Sequence, residues 1–241
     1  MRHGRLCPWL FEAKIQGLSK KPLNHYYFIC IINADNMNHS LPHAILKYLH
    51  HKGGYAHMKD FKAASFQTRD IAFLVQNGSL EKIKSGLYRL VNLPELSKVG
   101  LSKRDVCQAI PDGVICLASA LEFHGLTTFI PKAIYIAIPR STKPPKLLFP
   151  PIKVFYFSDA QYRAGIDTLQ TAAGPVKIYC AEKTICDMFR YRNKLGEDPA
   201  LEGLKEYLGR RGADPGRLLK YAEICRVKKI LTPYLRIMVH R

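Results

Sequence analysis

The sequence predicts an α+β fold in two parts: an N-terminal winged helix-turn-helix over residues 37–92 and, behind a linker at 93–103, a larger mixed α/β domain over 104–241 with a helical C-terminal tail. Three observations lead there. At 241 residues the chain exceeds the usual size of one domain, so a small unit beside a larger one is the natural arrangement. Between residues 40 and 91, three helical stretches precede two short strand-like runs, the order of a winged helix-turn-helix. Beyond residue 104, helical and strand-like stretches alternate and then give way to helices alone.

Residues 1–36 show no sustained periodicity, and ordered patterning begins only at Met37; the segment before it is expected to be an unstructured or non-native extension. Leu41, Ala44, Ile45, Tyr48 and Leu49 then recur at helical spacing, with Ser40 placed to cap the first turn and Gly53-Gly54 to end the helix. The stretch 58–64 is long enough for a short second helix only. Ser65 is expected to cap a third, with Ile71, Leu74 and Val75 as its buried stripe and Asn77-Gly78 as its stop. Strand-like runs at 80–83 and 87–91 flank Lys84-Ser85-Gly86, a hairpin connection in which glycine tolerates the left-handed last position.

The linker carries Pro94 and polar residues. Behind it the pattern predicts a helix at 113–125 and strands at 133–138 and 152–157, separated by the proline-rich basic stretch 139–151. A further strand pair is expected at 166–169 and 176–180 around Ala173-Gly174-Pro175, followed by helices at 181–194, 199–211, 215–227 and 229–239.

A composition of 47% hydrophobic and 23% charged residues is that of an ordinary globular protein, and no apolar run approaches a membrane span, so a cytoplasmic protein with no membrane partner is expected. The formal net charge of +18 creates a field that attracts polyanions. The excess is densest at 37–91, with 8 basic against 3 acidic residues, and at 190–241, with 13 against 6. Seven cysteines without a C-x-x-C pair fit neither a disulfide framework nor a zinc site and are read as reduced thiols. The histidines at 39, 43, 50, 51 and 57 lack a third converging ligand, so no metal and no cofactor are expected.

In a helix-turn-helix the first residues of the recognition helix reach base edges while surrounding cations hold phosphates. That makes Gln67, Thr68 and Arg69 the expected readers, since arginine offers a bidentate fork to guanine and glutamine one to adenine. Lys59 and Lys62 on the preceding helix, and Lys82, Lys84 and Arg89 on the hairpin, are expected to supply phosphate contacts or a minor-groove probe, with Ser85 among the expected DNA-binding residues. A second basic surface is expected on the C-terminal helices, from Arg190, Arg192, Lys194, Arg210, Arg211 and Arg217, with Lys220, Arg226, Lys228 and Lys229 nearby and Tyr191, Tyr207, Tyr221 and Tyr234 interleaved. Such a surface suits nucleic acid or an acidic protein partner, unless the tyrosines are core and the charges merely solvated.

No catalytic motif is present: G-x-S-x-G, H-E-x-x-H and the phosphate-binding G-x-x-x-x-G-K-[ST] are all missing. His124 stands at the end of a helix, where the dipole and a backbone carbonyl account for it. A metal-dependent nuclease would need an acidic residue and a lysine alternating on one strand, but Pro175 occupies the position two before Lys177. Glu182 and Lys183 are adjacent in a first helical turn and are expected to point apart, so the chain is not expected to be an enzyme.

Several stretches in order carry a specific resemblance: Gly53-Gly54-Tyr55-Ala56, the hairpin 80–90, residues 113–128, Ile136-Ala137-Ile138-Pro139-Arg140, and residues 181–194. Together they resemble the AbiEi antitoxin family, over nearly all of the chain from residue 41 onward. Glu182 departs from the proline or small residue typical of the family at that helix start. The resemblance implies the autorepressor and antitoxin of a type IV toxin-antitoxin system, with a winged helix that binds operator DNA with inverted repeats. It also implies a C-terminal domain opposing a cognate AbiEii-type nucleotidyltransferase toxin. The alternatives are a repressor of the same architecture without a toxin, told apart by an orphan gene, and a DNA-cleaving enzyme, told apart by magnesium-dependent nicking.

Overall fold

The computed structural model describes residues 40–93, 99–147 and 149–239, and Leu41–Arg241 forms one compact α+β unit. The extension at 1–36, the expected start at Met37, and His39 lie outside the described residues.

Helix α1 (Ser40–His51) buries Ile45 and Leu49. It ends in a Schellman turn, with Gly53 N–H bonded to His50 O and Gly54 N–H to Leu49 O. Gly53 is required twice over: its φ is +70°, and a Cβ there would stand 1.7 Å from Ala172 O. Strand β1 (Tyr55–His57) leads into α2 (Met58–Ala63), which packs Phe61 inward, and α3 (Thr68–Gln76) follows with Ile71 and Leu74 buried. Strands β2 (Leu80–Lys84) and β3 (Leu87–Leu90) complete a three-stranded antiparallel sheet of order β1-β3-β2. Its core joins Ile45, Leu49, Phe61, Ile71, Leu74, Leu80 and Leu90, with Tyr48, Phe66 and Tyr88 ringed around Phe61.

Three sequence expectations change here. β1 is too short to show alternation and was not foreseen. Ser65 does not cap α3: Gln67 holds that position, and Ser65 closes α2 at φ +63°, with its N–H on Lys62 O and Phe66 N–H on Phe61 O. Residues 101–103, placed in the linker, belong to α4 (Leu101–Ala109).

The larger sheet has order β6-β5-β4-β8-β7 and mixed direction. Its strands are β4 (Val114–Ile115), β5 (Ile134–Ile138), β6 (Ile152–Tyr156), β7 (Ile166–Thr171) and β8 (Gly174–Tyr179). β5–β6 and β4–β8 are parallel, β4–β5 and β7–β8 antiparallel. The expected helix at 113–125 is thus strand β4 followed by α5 (Leu117–Phe123), because both Val114 and Ile115 are buried on opposite faces of the sheet.

That alternation builds core clusters on both faces of the sheet. Val114, Ala137, Phe155 and Tyr179 face α5, α7 (Ala181–Arg190), α9 (Asp198–Leu208), α10 (Pro215–Ile224) and α11 (Lys228–Val239). Ile136, Ile138, Ile152 and Val154 turn the other way, onto Val106 and Ala109 of α4, Ile110 just beyond it, and Ile83 and Leu87 of the hairpin. The short helices α6 (Asp159–Arg163) and α8 (Arg192–Leu195) fill the connections. Among the described residues no helix is long and apolar enough to cross a membrane.

Candidate functional site

The turn between α2 and α3 sets the first candidate surface. Asp60 accepts from His57 N–H at 2.9 Å, fixing the start of α2, and the left-handed Ser65 swings the chain into α3. Ile71 and Leu74 anchor one side of α3, so the other side is open: Gln67, Thr68, Arg69, Ala72, Phe73 and Gln76 are exposed. The Arg69 side chain is 81% exposed, its Nε 3.4 Å from Asp70 Oδ1, a geometry that leaves the guanidinium ends available. Phe73 is 56% exposed on the same face, one turn beyond Arg69. Neither Phe73 nor Gln76 was among the expected readers, although their spacing of four and seven from Arg69 placed them there. Lys59 and Lys62 are exposed on α2, and Lys82 on β2.

The hairpin behaves otherwise than expected. Arg89, read as a phosphate contact, is 8% exposed and bonded through Nη1 to Asp105 Oδ2 at 2.5 Å and through Nη2 to Glu81. Asp105 also accepts from the Tyr55 hydroxyl at 2.7 Å. Burial pushes the Asp105 carboxyl up, opposed by Tyr55 and Arg89, and pushes the Tyr55 hydroxyl up as well. Lys84 likewise turns inward, donating from Nζ to Ala109 O at 2.6 Å, and burial lowers its pKa. With Ile83 and Leu87 seated on the larger sheet, these groups hold the hairpin against α4. Ser85 at its tip is exposed beside the partly covered Lys84 and Gly86, and Lys82 is exposed on β2. The physical reason is that the strand pairing brings Glu81, Arg89 and Tyr55 to one face, where Tyr55 and Arg89 donate to the buried Asp105 and Glu81 pairs with Arg89.

The C-terminal cations divide. Arg210 donates to Gly125 O at 2.6 Å, and Arg217 lies 3.6 Å from Glu182 and over the Tyr221 ring, while Arg211 is exposed. Arg190, Arg192 and Lys194 instead surround an open cavity of about 430 Å³ together with Arg226. The tyrosines belong to the fold: Tyr191 stacks on Phe157, Tyr207 bonds Glu182 at 3.0 Å, and Tyr221 and Tyr234 pack against the main core.

Residues with catalytic potential are structurally committed. His124 caps α5 and its Nε2 lies 2.7 Å from Tyr179 O. Glu182 turns toward Tyr207, whereas Lys183 turns into the core, where it pairs with Asp187 at 2.5 Å and lies 4.4 Å and 4.8 Å from the ring centres of Tyr179 and Phe157. The five described cysteines are buried free thiols, and among the described residues no three His, Cys, Asp or Glu side chains converge on a metal position.

No family model matches the chain, and no curated protein matches it significantly. Among solved structures, the chain is similar to the crystal structure of the RV2827C protein from Mycobacterium tuberculosis, at 15% identity, 84% coverage of this chain, 83% of that one, and a TM-score of 0.49.

Proposed function

We propose that this chain is a non-enzymatic, sequence-specific DNA-binding repressor, and that α3 is the recognition helix of a winged helix-turn-helix. The observation that carries the reading is the uncovered outer face of α3, where the exposed Arg69, in contact through Nε with Asp70, stands beside Gln67, Thr68, Phe73 and Gln76 while the opposite face is locked by Ile71 and Leu74. An arginine on such a face offers two parallel donors to guanine, and an exposed phenylalanine suits the thymine methyl group. Lys59, Lys62 and Lys82 supply cations for flanking phosphates. Because Lys84 and Arg89 are engaged with α4, the wing braces the reading unit, and phosphate contact falls to α2 and β2.

The wider role, autorepressor and antitoxin opposing an AbiEii-type nucleotidyltransferase toxin, is supported by the ordered resemblance of residues 53–56, 80–90, 113–128, 136–140 and 181–194. It predicts inverted repeats upstream of the gene and a toxin gene beside it.

Gel-shift titration on the gene's own upstream DNA tests the interface. Arg69→Ala is expected to cost about 1–3 kcal/mol and to relax preference at one base pair. Lys62→Ala is expected to weaken all sequences alike and to lower the salt slope by about 1. Undiminished binding by both variants overturns the placement of the interface on α2 and α3.

A further inference from the structure

We infer that the cavity between the ends of α7 and α10 is a binding site for a small polyphosphate, the phosphate chain of a nucleoside di- or triphosphate being the chemistry it fits. The inference is independent of the DNA-binding reading, since the site shares no residue with α2, α3 or the hairpin.

Four cations reach it from three segments: Arg190 from the last turn of α7, Arg192 and Lys194 from α8, and Arg226 from the turn between α10 and α11. Among the described residues none of the four forms an ion pair with a carboxylate, whereas Lys103, Lys183, Arg217 and Lys228 elsewhere in this domain each do. Two are fixed in place through backbone carbonyls. Arg190 donates from Nη1 to Cys225 O and Arg192 from Nη1 to Phe189 O, both at 2.9 Å. Each anchor uses one of the five N–H groups of a guanidinium, so the forks stay oriented with donors to spare. Carbonyls at two helix ends account for those anchors, but not for a third arginine and a lysine facing the same space.

The backbone at Arg226 is the second observation. Its N–H bonds Glu223 O and the N–H of Val227 bonds Ala222 O, a Schellman turn in which Arg226 occupies the left-handed position at φ +58°. Glycine fills the equivalent left-handed position after α1, α3 and α5, at Gly53, Gly78 and Gly125, and the small Ser65 fills it after α2. A long cation in a position that favours glycine keeps the strain and gains a charge over the cavity.

The arrangement of the site selects among polyanions. Duplex DNA is read by elements that protrude into its grooves, whereas these four cations line one open cavity of about 430 Å³ together with Asn193, Val227 and Ile230, a space on the scale of a compact anion. Planar guanidinium forks match phosphate oxygens in pairs, so adjacent phosphates engage several arginines together.

Calorimetric titration of the full chain with inorganic triphosphate and with ATP, against inorganic phosphate and a random-sequence duplex, tests the site. Arg226→Gly is the key variant, because it suits the backbone and so removes the charge without harming the fold. Triphosphate and ATP are expected to bind in the micromolar range, at least 10-fold more tightly than phosphate. Arg226→Gly is expected to weaken both at least 10-fold while its Tm stays equal or rises, and Lys194→Met is expected to act in the same direction. Triphosphate and ATP binding no tighter than phosphate overturns the proposal, as does binding indifferent to Arg226→Gly. A variant that loses affinity for the duplex alone overturns it in favour of a nucleic-acid surface.

Discussion

Replacing Asp105 with alanine removes the carboxylate that ties the small sheet to α4. Asp105 is 1% exposed and accepts from Tyr55 at 2.7 Å and from Arg89 at 2.5 Å. Deleting one partner of a buried ion pair costs about 3–5 kcal/mol, mostly from the charge left behind. Arg89 would keep Glu81, whose side chain is 43% exposed, so the lower end, about 3 kcal/mol, is expected for Asp105→Ala. For a chain of this size that corresponds to a fall in Tm of roughly 6–12 °C. Urea denaturation gives the free energy, and native-state hydrogen exchange locates the loosened amides, expected in β1, β3 and α4. The double variant Asp105→Leu with Arg89→Leu replaces the pair by apolar surface and should recover at least half of the loss. A cost below about 1 kcal/mol for Asp105→Ala, or a double variant no more stable than the single one, would refute the view that this pair holds the two parts together.

Two further measurements probe other contacts. Lys183→Met leaves Asp187 unpaired in the core and is expected to destabilise by about 3–5 kcal/mol in urea denaturation, with Lys183→Met/Asp187→Leu recovering much of it; equal stability of the single variant and the native chain would count against a charged pair. Glu202 accepts from the Thr127 hydroxyl at 2.7 Å and from Thr128 N–H at 2.8 Å, which holds its carboxyl below the ordinary glutamate value. A depressed carboxylate stabilises the fold above its unfolded value and loses that contribution as pH falls through its folded value. The protection factors of amides 127–129, taken relative to intrinsic exchange rates, should therefore fall as pH drops from 5 to about 3, and Glu202→Gln should abolish that pH dependence.

How much was legible depends on the kind of signal. α1, α3 and the hairpin announced themselves through period and glycine stops, and the helices after residue 181 through their apolar stripes. β4 was hidden because two buried residues cannot display an alternation, and α4 because its polar face, Arg104 and Asp105 included, is buried. Position in the first turn of a helix marks Gln67, Thr68 and Arg69 as expected readers, whereas Phe73 draws no reading from the sequence and its 56% exposure emerges only once α3 is placed.

Sequence by itself determined the basic excess, the positions of most elements and the inward residues of α1 and α3, because these follow from local periodicity and composition. Tertiary structure alone decided what each cation does. Lys62 and Arg69 face water, Arg89 and Lys183 neutralise buried carboxylates, and Arg190, Arg192, Lys194 and Arg226 converge on one cavity. A charge is defined by its residue, but its role is set by what lies within a few ångströms, and for Arg89 and Asp105 that partner is 16 residues away.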